Sequence, residues 1–276
     1  MIKEKAYAKL NLSLSVLGKR EDGFHELETI MVPINLYDEL YFEENDGNEM
    51  VLLDNTILDN SILKAAKLFQ ETYKTKGATI RLKKRIPLEA GLAGGSADSS
   101  ATLRGLNRLF NLNIPLKELE ILAAKLGSDN VFCLYNHAAN CRGRGELLEF
   151  IEEDFKFNVS IIKPSYGILT KDVFKNLIFK EKRNFNNVFN ALKDNNIKTL
   201  DENIYNDLFE SAVKIKPELL DIVSYLEKQN YRVHMSGSGP TLFIFNLKQN
   251  VKKELLNRFD NIILLKTRIK KRYHNW

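Results

Sequence analysis

A block of small residues runs from Pro87 to Leu103, PLEAGLAGGSADSSATL, and its make-up suits it to hold an anion. Gly91, Gly94 and Gly95 have no Cβ, so the backbone there can turn tightly and approach a ligand closely. The alternating stretch Ala78 to Ile86 before the block predicts a strand, and the periodic stretch Thr102 to Phe110 after it predicts a helix. Free amides at the start of that helix offer donors and a partial positive charge, for which a phosphate is the natural guest. Moving a phosphoryl group onto an alcohol also needs a carboxylate for the hydroxyl proton and a cation to offset charge. Asp129 lies between a predicted helix ending near Leu126 and the apolar run Val131 to Leu134. By position alone it reads as a turn residue or N-cap, and as a base only if it faces a cleft. Lys9, in AKLNLSL, shares one strand face with Asn11 and Ser13 if Leu10, Leu12 and Leu14 face the core. A lone strand lysine is ordinarily solvated or guards an edge. In a cleft, its charge would hold Asp129 ionised and stabilise the transferring group.

Two common nucleotide fingerprints fail on this block. No Lys follows it, which excludes G-x-x-x-x-G-K-S/T, and its glycine spacing does not match G-x-G-x-x-G. The block instead resembles the phosphate loop of the GHMP small-molecule kinases: Pro, a short spacer, Gly-Leu, then small residues and Ser running into a helix. The likeness extends from Ala6 to about Phe245 through AKLNLSL (Ala8 to Leu14), REDGFHELETIM (Arg20 to Met31), DNSILKAA (Asp59 to Ala66), LGSD (Leu126 to Asp129), GRGE (Gly143 to Glu146) and MSGSGPTLF (Met235 to Phe243). The segment DGFHEL resembles the cytidyl-substrate group of that family and is lacking in its mevalonate, homoserine and galactose kinases.

The resemblance implies an ATP- and Mg2+-dependent kinase acting on the 2-hydroxyl of a cytidine-diphosphate-linked methylerythritol, in the non-mevalonate route to isoprenoids. It implies that Lys9 and Asp129 are the catalytic pair, with Asp129 taking the hydroxyl proton. On the ATP side it implies Asn60 at the adenine and Pro87, Gly91, Leu92, Ala93, Gly94, Gly95, Ser96, Ala97 and Ser99 around the triphosphate, with Ser96 also near the magnesium ion. On the acceptor side it implies Asn11 near the diphosphate, His25 reading the cytosine, Phe24 and Phe174 sandwiching the ring, and Gly237, Ser238 and Gly239 in a third glycine loop. Taken alone, the two phenylalanines would read as core, the third loop as a hairpin turn and Asp98 as a first-turn helix cap. Three departures stand out. Asn130 and Val131 replace the usual aliphatic residue and proline after the catalytic Asp, which predicts a looser backbone; Arg142 replaces a common Glu; and Asn184 to Asn203 replaces a variable region.

The elements that must position these groups read as an α+β chain. Lys5 to Leu17 and His25 to Glu44 alternate as long strands around the turn Glu21 to Gly23, and Met50 to Leu53 is a short strand. A helix follows from Asn60 or Ser61, with Ile62, Leu63, Ala66 and Phe69 on one face, and another spans Leu116 to Leu126 after Pro115. The second half predicts a strand at Phe157 to Lys163, a helix from Thr170, a mobile or helical Asn-rich insertion, and a helix over Ile215 to Lys228. Strands at Tyr231 to Met235 and Thr241 to Asn246, a helix at Val251 to Phe259 and a strand at Asn261 to Ile269 then suggest a ferredoxin-like module. The expected organisation is a two-domain GHMP kinase fold, with an N-terminal mixed α/β domain over 1–155 that binds ATP and a C-terminal domain over 156–276 that completes the substrate cleft.

Composition narrows the class. A 276-residue chain with 44% hydrophobic residues can bury a sizeable core. Two cysteines, Cys133 and Cys141, argue against a disulfide framework. The N-terminus MIKEKAYAKLNLSLS has no apolar signal core, and no run approaches 18 apolar residues, so a cytoplasmic protein without a membrane partner is expected. The net charge of +5 is spread over a Lys- and Asn-rich chain with basic clusters at Lys83 to Arg85, Lys180 to Arg183 and Lys266 to Arg272, Tyr273 and Trp276 following the last. Such a field suits a phosphorylated substrate better than nucleic acid, and the chain is expected to work as a monomer or homodimer.

Overall fold

The structure, a computed structural model, describes residues 1–53, 61–179 and 184–273. Two long strands open the chain, β1 (Ile2–Lys19) and β2 (His25–Glu44), followed by β3 (Met50–Leu53), α1 (Ser61–Tyr73) and β4 (Ala78–Lys83). Three helices, α2 (Gly94–Leu109), α3 (Leu116–Leu126) and α4 (Ser128–Tyr135), lead to a hairpin of β5 (Ala139–Gly143) and β6 (Leu147–Phe150). Then come β7 (Lys156–Pro164), α5 (Thr170–Lys175), α6 (Phe185–Lys193), α7 (Ile197–Asn203), β8 (Tyr205–Asn206), α8 (Phe209–Ile215) and α9 (Leu219–Lys228). The chain closes with β9 (His234–Met235), β10 (Leu242–Phe245), α10 (Gln249–Arg258) and β11 (Ile262–Lys270).

β2 is the shared strand of the first half. Along its length it pairs with β1, its first part pairs with β5 and its last part with β4, all antiparallel. The core against it draws on Leu10, Leu12, Ile30, Ile34 and Phe42 from the strands, Phe69 from α1, Ala101 and Leu106 from α2, and Phe132 from α4. In the second half, β8 set aside, the strands lie in the order β11-β7-β10-β9, which is the fourth, first, third and second of the remaining four, as the ferredoxin-like expectation requires. A second core forms there from Ile162, Ile244, Ile222, Leu226 and Leu255, joined by Leu14 and Val16 of β1. β11 lies along β7 and meets β2 at Ile34, while β8 leaves the module to pair in parallel with β1 at Ser13 and Leu14.

Several expectations change in detail. The strand predicted over Tyr231 to Met235 shrinks to β9, and the GRGE segment is the turn of the β5–β6 hairpin, whose strands are too short to stand out by alternation. The Asn-rich insertion takes the helical one of its two expected forms: α6 and α7 bury Val188, Ala191, Leu192 and Leu200. Its asparagines have local work, since the Asn184 and Asn196 side chains accept from the Asn186 and Thr199 amides and cap the two helices. The simple alternation of β1 fails at a register shift between Asn11 and Ser13. A bulge turns the following side chains over, so Leu14 rather than Ser13 joins Lys9 and Asn11 on the cleft side, and the Ser13 hydroxyl accepts from the Ile30 amide. Among the described residues, no helix is long and apolar enough to cross a membrane.

Candidate active site

A cleft of about 1580 Å³ opens between the two halves of the chain. One wall is the glycine block. It leaves β4, turns through Glu89, Gly91 and Ala93, all at positive φ, and enters α2 at Gly94. No side chain caps this helix, so the amides of its first turn remain available where Gly94, Gly95 and Ser96 border the cleft. Pro87, Leu92 and Ala93 line the same wall. Ala97 and Ser99 do not: both are buried behind the loop, and the Ser99 hydroxyl donates back to the Gly95 and Ser96 carbonyls. Asn60 lies outside the described residues.

Lys9 and Asp129 meet at the floor of the cleft, with Nζ 3.6 Å from Oδ2. The ammonium is buried and further held by Asn11 Oδ1 at 2.6 Å and by the Gly91 carbonyl at 3.2 Å. Asn11 is fixed in turn, its amide donating to the Thr29 hydroxyl at 2.9 Å. Asp129 is in the first turn of α4 and about a third exposed, so it serves neither as a turn residue nor as a cap. Its charge, with burial acting first, pushes the Cys133 and Cys141 thiols far up, which keeps both protonated and unreactive.

Another part of the cleft is aromatic. His25 stacks on Phe174 with ring centres 4.7 Å apart and 24° between planes. Burial, and then the charge of Lys19, lower the His25 pKa below its usual 6.5, so the imidazole is neutral at pH 7. Phe24 does not face Phe174 in this conformation. It is half exposed and carries the Arg144 guanidinium 4.9 Å above its ring. Arg144 comes from the GRGE turn, whose Gly145 passes close to Asp129.

The third glycine loop closes the site from the second half. Gly237 and Ser238 line the cleft, whereas Gly239 lies behind them, its amide bonded to the Ser236 carbonyl. The contact with the phosphate loop is backbone against backbone: a Cβ on Gly91 would sit 2.5 Å from the Ser236 carbonyl oxygen, and one on Gly237 would sit 3.0 Å from that of Gly91. The buried Ser236 hydroxyl donates to the Gly91 carbonyl at 3.1 Å and accepts from the Asn11 amide at 3.4 Å. Asn206 pins the loop through its Nδ2, which donates to the Met235 and Gly237 carbonyls. The Thr170 and Ser238 hydroxyls lie 2.8 Å apart.

Sequence reasoning missed Ser236, Asn206, Thr170 and Lys84. Lys84 borders the cleft, with its ammonium 2.6 Å from both Asp38 and Asp98. Burial works against that cation, and the two carboxylates outweigh it and raise its pKa. Asp98 is therefore no helix cap. It is a buried partner of Lys84, and its carboxyl is pushed well up, first by burial and also by Asp38.

Models of known families match both halves: the GHMP kinases N terminal domain over residues 60–137 and the GHMP kinases C terminal over 188–261. A protein of Staphylococcus aureus strain MRSA252, named putative 4-diphosphocytidyl-2-C-methyl-D-erythritol kinase, is 39% identical over 93% of this chain and 94% of its own. A crystal structure of 4-(cytidine 5'-diphospho)-2C-methyl-D-erythritol kinase superposes with a TM-score of 0.82 at 28% identity, covering 97% of this chain and 99% of that one. Homoserine kinase from Cytophaga hutchinsonii shares the fold at a TM-score of 0.70 and 16% identity, over 98% of this chain and 96% of that one. The chain belongs to the GHMP kinases and is an ATP-dependent kinase with their two-domain mixed α/β fold. Its place within them is the 4-diphosphocytidyl-2-C-methyl-D-erythritol kinase branch, whose members match it nearly end to end.

Proposed function

We propose that this protein transfers the γ-phosphoryl of ATP to the 2-hydroxyl of 4-diphosphocytidyl-2-C-methyl-D-erythritol, a step of the non-mevalonate isoprenoid pathway. The observation that carries this reading is the Lys9–Asp129 pair, set between an uncapped helix N-terminus on one side and the His25–Phe174 stack on the other. Phosphoryl transfer depends mainly on positioning and charge stabilisation, and this arrangement supplies both. Asp129 takes the proton of the attacking hydroxyl, while Lys9 keeps Asp129 aligned and offsets charge on the phosphoryl group in flight. Residues 1–155 hold ATP, with the triphosphate over the amides of Gly94, Gly95 and Ser96, and 156–276 complete the acceptor side through Phe174, Gly237 and Ser238. Magnesium keeps few protein ligands and several phosphate or water oxygens, so the Ser96 hydroxyl at the cleft wall would suit it, and the ion would neutralise phosphate charge.

Release of ADP should be measured with the cytidyl substrate beside homoserine, mevalonate and galactose. Turnover confined to the cytidyl substrate supports the reading; turnover on another alcohol keeps the kinase and rejects the acceptor.

Two further results are expected at the cytosine end. Stacking on an aromatic side chain is worth about 1–3 kcal/mol per base, so Phe174→Ala should raise KM for the cytidyl substrate by about 5–150-fold and leave KM for ATP alone. An equal rise in both constants would point to a damaged fold instead. His25 offers a pH test. Its lowered pKa means that protonation, and with it weaker cytosine binding, sets in only as pH falls below 6.5. The same sign holds for stability: what the neutral imidazole contributes is present above 6.5 and is lost as pH falls through the folded-state pKa. KM for the cytidyl substrate should therefore be flat from neutrality upward and rise on acidification, and His25→Gln should remove that rise. An unchanged rise in the variant assigns it to another group.

A further inference from the structure

We propose that Asn130 is a positioning residue for phosphoryl transfer, tying the helix that carries Asp129 to the helix that begins at the phosphate loop. The inference rests on the reading of Asp129 as the base. Asn130 was expected to loosen this stretch of backbone, and the structure reverses that expectation. The side chain is buried, and its Nδ2 donates to the Ser99 hydroxyl at 2.5 Å, with the Ser96 carbonyl 3.5 Å away. Ser99 passes the connection on, since its hydroxyl donates to the Gly95 carbonyl at 3.0 Å. The direction is consistent throughout: amide N–H to hydroxyl oxygen, then hydroxyl hydrogen to carbonyl. A second tie runs the other way, with the Ser100 hydroxyl donating to the Asn130 carbonyl at 2.7 Å. Asp129 thus stands one residue from a buried amide that reaches into the first turn of α2, where Gly95 and Ser96 border the cleft.

The chemistry makes that tie consequential. The base rides on α4 and the phosphoryl donor sits on α2, so the distance between them is set by how these two helices are joined. An aliphatic side chain of similar size at 130 fills the space but donates nothing, and it leaves the Ser99 lone pair unmatched in a dry site. Small errors in placement then fall on the transfer step rather than on the binding of either substrate, because Asn130 is not among the groups that line the cleft.

The test compares the wild type with Asn130→Leu, Ser99→Ala and the double variant, each assayed well below its melting temperature. The ratio of kcat values is read on whichever alcohol the wild type phosphorylates, so a wrong acceptor sinks the proposed function and leaves this comparison intact. Losing one buried hydrogen bond that acts on the transition state should lower kcat by about tenfold in each single variant. KM for ATP and for the alcohol should stay within about twofold, and the double variant should be no slower than the slower single one, because both substitutions break the same bond. Amide hydrogen exchange gives a readout that needs no turnover: the amides of residues 128–131 should exchange about tenfold faster in both single variants. A lowered melting temperature with unchanged kcat and exchange would reduce Asn130 to a packing residue. Multiplying kcat losses in the double variant would show that Asn130 and Ser99 act separately, and either result overturns the proposal.

Discussion

Asp129→Asn should lower kcat by about 10²–10⁴-fold while leaving KM for ATP nearly unchanged, the size ordinarily lost with a general base. The amide keeps the shape of the carboxylate, so the first turn of α4 stays as it is, and a third of the side chain already faces solvent. Lys9 keeps two of its three partners, the Asn11 side chain and the Gly91 carbonyl, and need not move. What disappears is the negative charge that faces Lys9 and, on the proposed mechanism, the acceptance of the hydroxyl proton. The check is steady-state kinetics at saturating substrates, paired with a melting curve to show that the variant is folded. Undiminished turnover would remove Asp129 from the chemistry and return it to a structural role.

Lys9→Met should cost about 10²–10³-fold in kcat, comparable to the loss of one preorganised donor at a site of developing charge. The stem of the methionine replaces most of the buried volume, but the ammonium that faces Asp129 at the floor of the cleft is gone. The variant also frees the Asn11 oxygen and one of the two bonds to the Gly91 carbonyl, which Ser236 still holds. A modest loss of stability is therefore expected along with the catalytic loss. Combining Lys9→Met with Asp129→Asn should give a loss well short of the product of the two, because the residues work as a pair 3.6 Å apart. Losses that multiply in full would mean that Lys9 acts on the phosphates independently of Asp129.

The parts of this site that were legible in the sequence are those where one residue type has few other uses. A proline, a spacer and clustered glycines leading into a helix announce a backbone that must approach something closely, and AKLNLSL and LGSD could then be weighed together. The parts that were not legible depend on long-range pairing. Nothing in the local pattern of Lys84, Asp38 or Asp98 says that an ammonium just after β4 will sit between one carboxylate from β2 and one from α2. The bulge after Asn11 is invisible to an alternation count, which then assigns Ser13 to the wrong side. The loss of the usual aliphatic residue and proline at Asn130 and Val131 predicts a looser backbone, whereas the buried Asn130 side chain finds a matched acceptor in Ser99. Asn184 and Asn196 lie in a stretch expected to be mobile or helical; it is helical, and both residues are helix caps.

The place of β11 in the sheet bears on how the protein is made. This strand follows every other described strand in the sequence, yet it lies along the whole of β7 and meets β2, joining the two halves. During synthesis from the N-terminus, β7 therefore emerges with both edges unpaired; β10 covers one of them first, and the other stays open until Ile262 to Lys270 have been translated. An exposed strand edge of Phe157, Val159, Ile161 and Ile162 invites pairing with other nascent chains. Ribosomes stalled before codon 262 should accordingly carry chains that engage chaperones, and release of the last strand should end that engagement.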